Sequence, residues 1–226
     1  MHIEPGVVDG AKVALSYVTA AGAMGYGAKL ALDTIRREGV TPLAVRSALA
    51  TVLVFCFFEV FPHYPVGVSE VHLILGTTLF LLFGAAPAAI GLALGLLIQG
   101  IFFSPGDLPQ YGMNVTTLLV PLVLVGALAR RMIPASTAYK DVQYRHCLAL
   151  STAYQGGVVA WVAFWAFYGQ GFGAENLANV GAFGLAYVSV IVIEPLADLA
   201  VLAAAKALHR LADSKMFHSR LYRAAA

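Results

Sequence analysis

The sequence predicts an all-α fold, a polytopic membrane helix bundle of about seven transmembrane helices. Three observations carry this: the composition, the length of the apolar runs, and the one-sided placement of the basic residues. Sixty per cent of the 226 residues are hydrophobic, 12% are charged, and the mean hydropathy is +0.79. Soluble domains carry about 25% charged residues, so a chain this apolar needs lipid to cover part of its surface. A net charge of +2 is too small to point to nucleic acid. The two cysteines, Cys56 and Cys147, stand far apart and form neither a C-x-x-C motif nor a disulfide framework.

A membrane-spanning helix needs roughly 20 apolar residues. Seven runs are read as spans: 13–35, 43–61, 72–86, 88–103, 114–132, 147–168 and 179–207. The third and fourth are short and meet at Ala85-Ala86-Pro87. That reads as a tight helical hairpin, because proline is tolerated at a helix start and not in its middle. Pro195 is expected to kink the long seventh span. The runs are too uniformly apolar for the alternating strands of a membrane barrel. No internal repeat, long linker or low-complexity tract stands out. Residues 1–12 lack a basic region followed by an apolar core, so no signal peptide is expected and the N-terminus reads as mature. The chain therefore reads as one transmembrane domain over 1–226: an N-terminal segment 1–12, a bundle 13–210 and a basic tail 211–226.

Orientation follows from the loops. With the N-terminus outside, only Lys12 of the 14 Lys and Arg residues falls on the outer side. The C-terminus is then cytoplasmic, as an odd number of spans requires.

That topology divides the histidines. His146, His209 and His218 fall among basic residues at the inner side and read as solvated or headgroup-facing. His2, His63 and His72 fall outside, with Glu4, Asp9, Glu70 and Asp107. Imidazole suits Ni, Cu, Zn and Fe, whereas carboxylates suit harder cations. The first two residues say most. A free Met1 amine, the His2 backbone nitrogen and the His2 ring nitrogen can close two adjacent chelate rings nearly in one plane. A fourth nitrogen completes a square-planar set, which favours Ni(II) or Cu(II). Ser69 is expected to cap the third helix, which places His72 at its third helical position. Taken alone, the Met-His start reads more readily as a frayed terminus without a role, and His72 reads alternatively as an interfacial polar residue.

Four segments carry a resemblance to a known family. Met1-His2-Ile3-Glu4-Pro5-Gly6, Ser69 to Gly76, Leu96-Leu97-Ile98-Gln99-Gly100 through Tyr111-Gly112-Met113-Asn114-Val115, and Ile193-Glu194-Pro195-Leu196 occur in matching order. Together they resemble the membrane substrate-capture subunit of energy-coupling-factor transporters for cobalt and nickel, the CbiM/NikM family. Two departures are visible: an extra residue between Ser69 and His72, and Pro195 where the family has glycine.

The resemblance implies capture of Co(II) or Ni(II) by Met1, His2 and His72, with no permanently bound cofactor. Ser69, Glu70, Gln99, Asn114 and His63 are the candidates for groups that orient those ligands. It implies partners as well: a transmembrane coupling subunit, a pair of cytoplasmic ATPases and in some members a small accessory membrane subunit. The setting implied is the bacterial cytoplasmic (inner) membrane, and cobalamin biosynthesis is a possible destination of the metal. The chain itself is expected not to be an enzyme, since it contains no G-x-x-x-x-G-K-[ST] phosphate loop. Ala23-Gly27-Ala31 and Ala21-Gly25 on the first helix could dock the coupling subunit or pack within the chain. Glu194 and Asp198, one turn apart, read more readily as a buried hydrogen-bonded pair than as a relay.

Three other readings compete. A stand-alone secondary divalent-metal transporter would place ligands at mid-depth and usually carries inverted repeats. A zinc-dependent membrane enzyme would need H-E-x-x-H, which is absent. A structural or sensor membrane protein would leave the outer histidines without a role.

Overall fold

The structure, a computed structural model, describes residues 2–134 and 136–211. Met1 and the tail beyond Leu211 lie outside the described residues. The order is α1 (Val13–Glu38), α2 (Val40–Phe55), β1 (Tyr64–Val66), β2 (Ser69–Val71), α3 (Gly76–Phe83), α4 (Ala85–Phe102), α5 (Tyr111–Met132), α6 (Tyr144–Gln170) and α7 (Ala174–Leu211). Among the described residues five segments are long and apolar enough to cross a membrane: Val40–Val60, Ala85–Phe102, Pro105–Met132, Tyr144–Gln170 and Ala174–His209. The first of these is α2 prolonged by a π-helical turn, Cys56–Val60. Helix α1 has 26 residues but is diluted by Gly, Ser, Thr and Tyr. Helix α7 continues as a helix through Pro195.

The expected third span, 72–86, is corrected. Only Gly76–Phe83 is helical, about 12 Å at 1.5 Å per residue, too short to cross a bilayer core of about 30 Å. Ser69 does not cap it. Ser69 opens β2, which pairs antiparallel with β1 in the register Tyr64↔Val71, Pro65↔Glu70 and Val66↔Ser69. The physical reason lies in the segment Tyr64-Pro65-Val66-Gly67-Val68-Ser69-Glu70-Val71. Three valines and a tyrosine favour strand, and Gly67-Val68 is a two-residue hairpin turn. The backbone then runs on non-helically through His72 and Ile74 to Leu75, whose φ of 52° is the only positive value at a non-glycine among the described residues.

Two helical hairpins share one turn. Gly39 (φ 91°, ψ 172°) joins α1 to α2, and Gly84 (φ 93°, ψ 168°) joins α3 to α4. A proline follows each glycine three residues later, Pro42 and Pro87, inside the first turn of the next helix. Glycine is needed because L side chains rarely adopt such φ values. The reversal thus falls at Gly84, just before the expected Ala85-Ala86-Pro87. Arg46 ties the two turns together: it pairs with Glu38 beside one and donates to the Phe83 carbonyl beside the other at 3.3 Å. Both hairpins therefore reverse at the same end of the bundle.

The helices meet closely where side chains are small. Gly91 and Gly95 of α4 lie against Ala50 and Val54 of α2, with no room for a Cβ on either glycine. Gly27 of α1 faces Ala89 of α4, whereas Gly22 and Gly25 meet nothing. The Ala23-Gly27 row packs within the chain in part, and the row through Gly25 is open. Trp165, Tyr154, Tyr187, Phe58 and Phe183 fill the core, while Leu185, Val192 and Leu196 point outward from α7.

Candidate metal centre

The chain's first residues become part of the sheet. Ile3 bridges Ser69 in antiparallel fashion, Glu70 N–H donates to the His2 carbonyl at 2.9 Å, and Glu4 N–H donates to the Val68 carbonyl at 3.1 Å. The Ser69 hydroxyl donates to the same His2 carbonyl at 2.8 Å. From across the bundle, Asn114 Oδ1 accepts Ile3 N–H at 2.8 Å. Ile3 itself is fully buried. The segment thus lies strand-like beside β2 through a single bridge, and its register is set by side chains 67 and 111 residues away.

That register brings His2 to His72. The two imidazoles sit edge to face, with centroids 5.3 Å apart, and both are almost completely buried. One carboxylate oxygen serves both: Glu70 Oε2 lies 2.6 Å from His2 Nδ1 and 2.8 Å from His72 Nε2. One ligand atom from each of His2, Glu70 and His72 fits within a 4.8 Å cluster. Glu70 and His72 share a face because they stand two apart on extended backbone. Cis ligands around an ion at about 2.0–2.1 Å are themselves about 2.9 Å apart, close to the two contacts seen.

The electrostatics fit a ligand set. Burial makes a charged imidazole costly, which lowers the pKa of both His2 and His72 and keeps them neutral. Burial alone would raise Glu70, but its hydrogen bonds from His2 and His72 hold it well below the usual carboxylate range. An ionised carboxylate only accepts, so both rings present N–H to it. The lone pairs then sit on His2 Nε2 and His72 Nδ1, and both atoms are buried without a hydrogen-bond partner among the described residues. Asp107 Oδ2 lies 4.0 Å from His2 Nδ1. Burial raises the Glu4 carboxyl, with the charge of Glu70 adding to it.

The other candidates take distinct places. His63 is half-buried and stacks on His72, with centroids 4.8 Å apart and planes 11° from parallel. Phe58 flanks both His72 and His2, at 5.3 and 6.4 Å between centroids. Gln99 does not approach the histidines through any hydrogen bond; its amide donates to the Phe58 carbonyl at 3.3 Å and to Glu59 at 3.4 Å, so it supports the aromatic wall. Asn114 and Ser69 hold the N-terminal strand.

Glu194 and Asp198 are buried and hydrogen-bonded, and both reach α3. The Glu194 carboxylate accepts Ile74 N–H and Leu75 N–H, the latter at 3.0 Å, together with the Gln155 amide. Asp198 accepts the Thr78 hydroxyl. Burial and hydrogen bonding of these two carboxylates are what the sequence leads one to expect; their partners before and within α3 are not, because the run through Leu75 reads as continuous helix. The signal that could have found it is the strand-like Val-Gly-Val-Ser-Glu-Val stretch ahead of His72.

Residues 2–211 match the family model described as cobalt uptake substrate-specific transmembrane region. A stretch of 144 residues, 62% of this chain, is 32% identical to a "Putative metal transport protein" of Haemophilus influenzae, and the chain spans 63% of that relative's length. Two crystal structures have the same fold, each with a TM-score of 0.68. One, of a transition metal transporter, is 19% identical and covers 99% of this chain and 99% of its own. The other, a truncated transition metal transporter, is 17% identical and covers 93% and 99% respectively.

Proposed function

The chain belongs to the family of cobalt uptake substrate-specific transmembrane regions, and from that we propose that it captures Co(II) or Ni(II) at its outer face as the membrane subunit of an ATP-driven importer. One observation carries the reading: His2 and His72, 70 positions apart, converge on a single Glu70 oxygen inside the fold. Two buried imidazoles converging on one carboxylate suit a nitrogen-preferring transition metal rather than Mg or Ca.

In this reading the ion exchanges water for the Met1 amine, the His2 backbone and ring nitrogens, and the His72 ring. The His2 ring nitrogen in reach of the chelate is Nδ1, which in the metal-free chain faces Glu70. Binding displaces protons, so affinity depends on pH. In the metal-free chain the Glu70 carboxylate orients both rings; once His2 Nδ1 turns to the ion, Glu70 still orients His72 through Nε2 and offsets part of the dipositive charge in a site with little water. Asn114 and Ser69 set the depth and register of the strand that carries His2. Phe58, Gln99 and His63 wall the site.

Energy for release into the cell comes from partners, a transmembrane coupling subunit and a cytoplasmic ATPase pair, with this chain supplying specificity. Ni(II) and Co(II) titrations of the purified chain, tagged only at its C-terminus, test the binding half. Metal uptake by cells with and without an ATPase pair tests the coupling half. Binding without His72 dependence would remove the site. Uptake independent of ATP hydrolysis would favour a secondary transporter.

A further inference from the structure

We infer that Glu194 is a positioning residue for the metal site: its buried carboxylate holds open the break between β2 and α3 and thereby sets where His72 stands. The inference rests on the reading of His72 as a ligand.

The break needs an outside partner. Helix α3 starts at Gly76, and the backbone before it is neither strand nor helix. Buried N–H groups without partners are costly, and irregular backbone at membrane depth persists only where protein satisfies it. Ile74 N–H is such a group and Leu75 N–H, in a half-buried residue, is partly so; their acceptors are the two oxygens of Glu194, 120 and 119 positions away on α7. Leu75 holds φ 52° and ψ 35°, a left-handed conformation that costs a bulky L residue energy unless its surroundings impose it. The Glu194 carboxylate is what the surroundings supply.

The carboxylate is itself held. Gln155 donates its amide to Glu194 Oε2, and the Tyr187 hydroxyl donates to Gln155 Oε1 at 2.7 Å. One turn further along α7, Asp198 accepts the Thr78 hydroxyl of α3. Helix α7 therefore grips the short helix at its start and in its first turn. All of these residues are buried. His72 lies two residues before Ile74, so a shift of the Ile74–Leu75 backbone is passed to the imidazole through two peptide units. No other role for Glu194 competes at the site, since it makes no hydrogen bond to His2, Glu70 or His72 among the described residues.

The requirement is for an acceptor pair. Three donors converge on two oxygens; both oxygens of a carboxyl group can accept, whereas one end of an amide of the same shape is an NH2 that cannot. Glu194→Gln is therefore nearly isosteric and chemically wrong. The experiment is a Ni(II) titration of the full chain, tagged at the C-terminus, in four forms: unchanged, H72A, E194Q and both together. Folding of each is checked by its unfolding temperature. E194Q should weaken Ni(II) binding at least about tenfold, or 1.4 kcal/mol, in the unchanged background and not at all in H72A. The Cu(II) paramagnetic resonance spectrum of E194Q should show the same loss of one ligand nitrogen as H72A.

Unaltered affinity in E194Q, or an equal loss in both backgrounds, overturns the inference while leaving His72 a ligand. Full affinity in H72A removes His72, and the inference falls with it. If E194Q does not fold, Gln155→Leu takes its place in the same four-way comparison, because it strips one donor from Glu194 and leaves the carboxylate. A His72-dependent loss then supports the inference, and a background-independent loss or none overturns it.

Discussion

Asn114 Oδ1 accepts, at 2.8 Å, the backbone N–H of Ile3, 111 positions earlier in the chain. The bond is buried and links a helix to the free end of a strand that carries only a handful of other contacts. Asn114 thereby decides how far the N-terminal segment inserts, and with it where His2 stands.

Asn114→Ala should therefore act on metal binding at a distance. It leaves a buried N–H without an acceptor, a loss of about 1–3 kcal/mol, and nothing else in the strand replaces it. The expected outcome is Ni(II) affinity down by about tenfold or more, with the bundle's unfolding temperature little changed. Calorimetric titration beside a thermal melt reads both.

His72 and His63 should separate. On the proposed reading His72→Ala removes a buried ligand nitrogen, and at least about a tenfold loss of affinity is expected. His63 is half-exposed and touches His72 only by its ring face, so His63→Ala should cost much less. The opposite order in side-by-side titrations would mean that the stacked ring, not the buried one, holds the ion.

The metal-free chain should lose stability in mild acid. His2 and His72 have lowered pKa values because of burial, so the folded chain holds them neutral. The unfolded chain takes up protons as pH falls below the ordinary imidazole value of about 6.5. The stabilisation is thus complete above that value and is lost as pH falls toward the lowered folded pKa. Glu70 acts in the same direction at lower pH: held well below the carboxylate range, it stabilises above about 4.3 and loses that contribution in stronger acid. Melting temperatures from pH 7 to pH 5 should decline, and decline less in a His2→Phe, His72→Phe double variant.

Membrane orientation can be read by labelling. Gly173 sits between α6 and α7, at the end where Lys12 Nζ donates to the Gly169 carbonyl at 2.6 Å. Ser136 follows α5 at the other end. A cysteine at Gly173 in a Cys56- and Cys147-free chain should react with an impermeant maleimide from outside the cell, and one at Ser136 should not. The reverse pattern would turn the metal site toward the cytoplasm.

Much of the fold was legible because membrane helices announce themselves by length and composition. The segments read as 43–61, 88–103, 114–132, 147–168 and 179–207 correspond to helices displaced by a few residues at their ends. The third span was not legible. Its apolar run continues through a strand, a left-handed Leu75 and eight helical residues, and hydropathy is blind to that change of backbone. Period-two alternation around Glu70 and His72 was the available signal, masked by the apolar run after it. The repeated Gly-x-x-Pro turns at Gly39 and Gly84 were present in the sequence too, but their identity lies in φ and ψ. Within the site, His2, His72, Ser69 and Asn114 were chosen as residues, whereas Glu70 as the shared partner of both imidazoles depends on a strand register that local sequence does not encode. Glu194 became interpretable only once the backbone break it serves was known.

The most direct measurement is Ni(II) and Co(II) binding after one alanine is placed before Met1, with the new N-terminus verified by mass spectrometry and the tag kept behind Ala226. Covalent geometry fixes the Met1 amine beside the His2 nitrogens, and an added residue turns that amine into an amide and moves the free amine away. The expected result is a folded, inserted protein whose affinity has dropped at least about tenfold and whose uptake activity is lost. Unchanged affinity and uptake in the extended chain would contradict capture by the N-terminal amine and leave His2, Glu70 and His72 alone as the site.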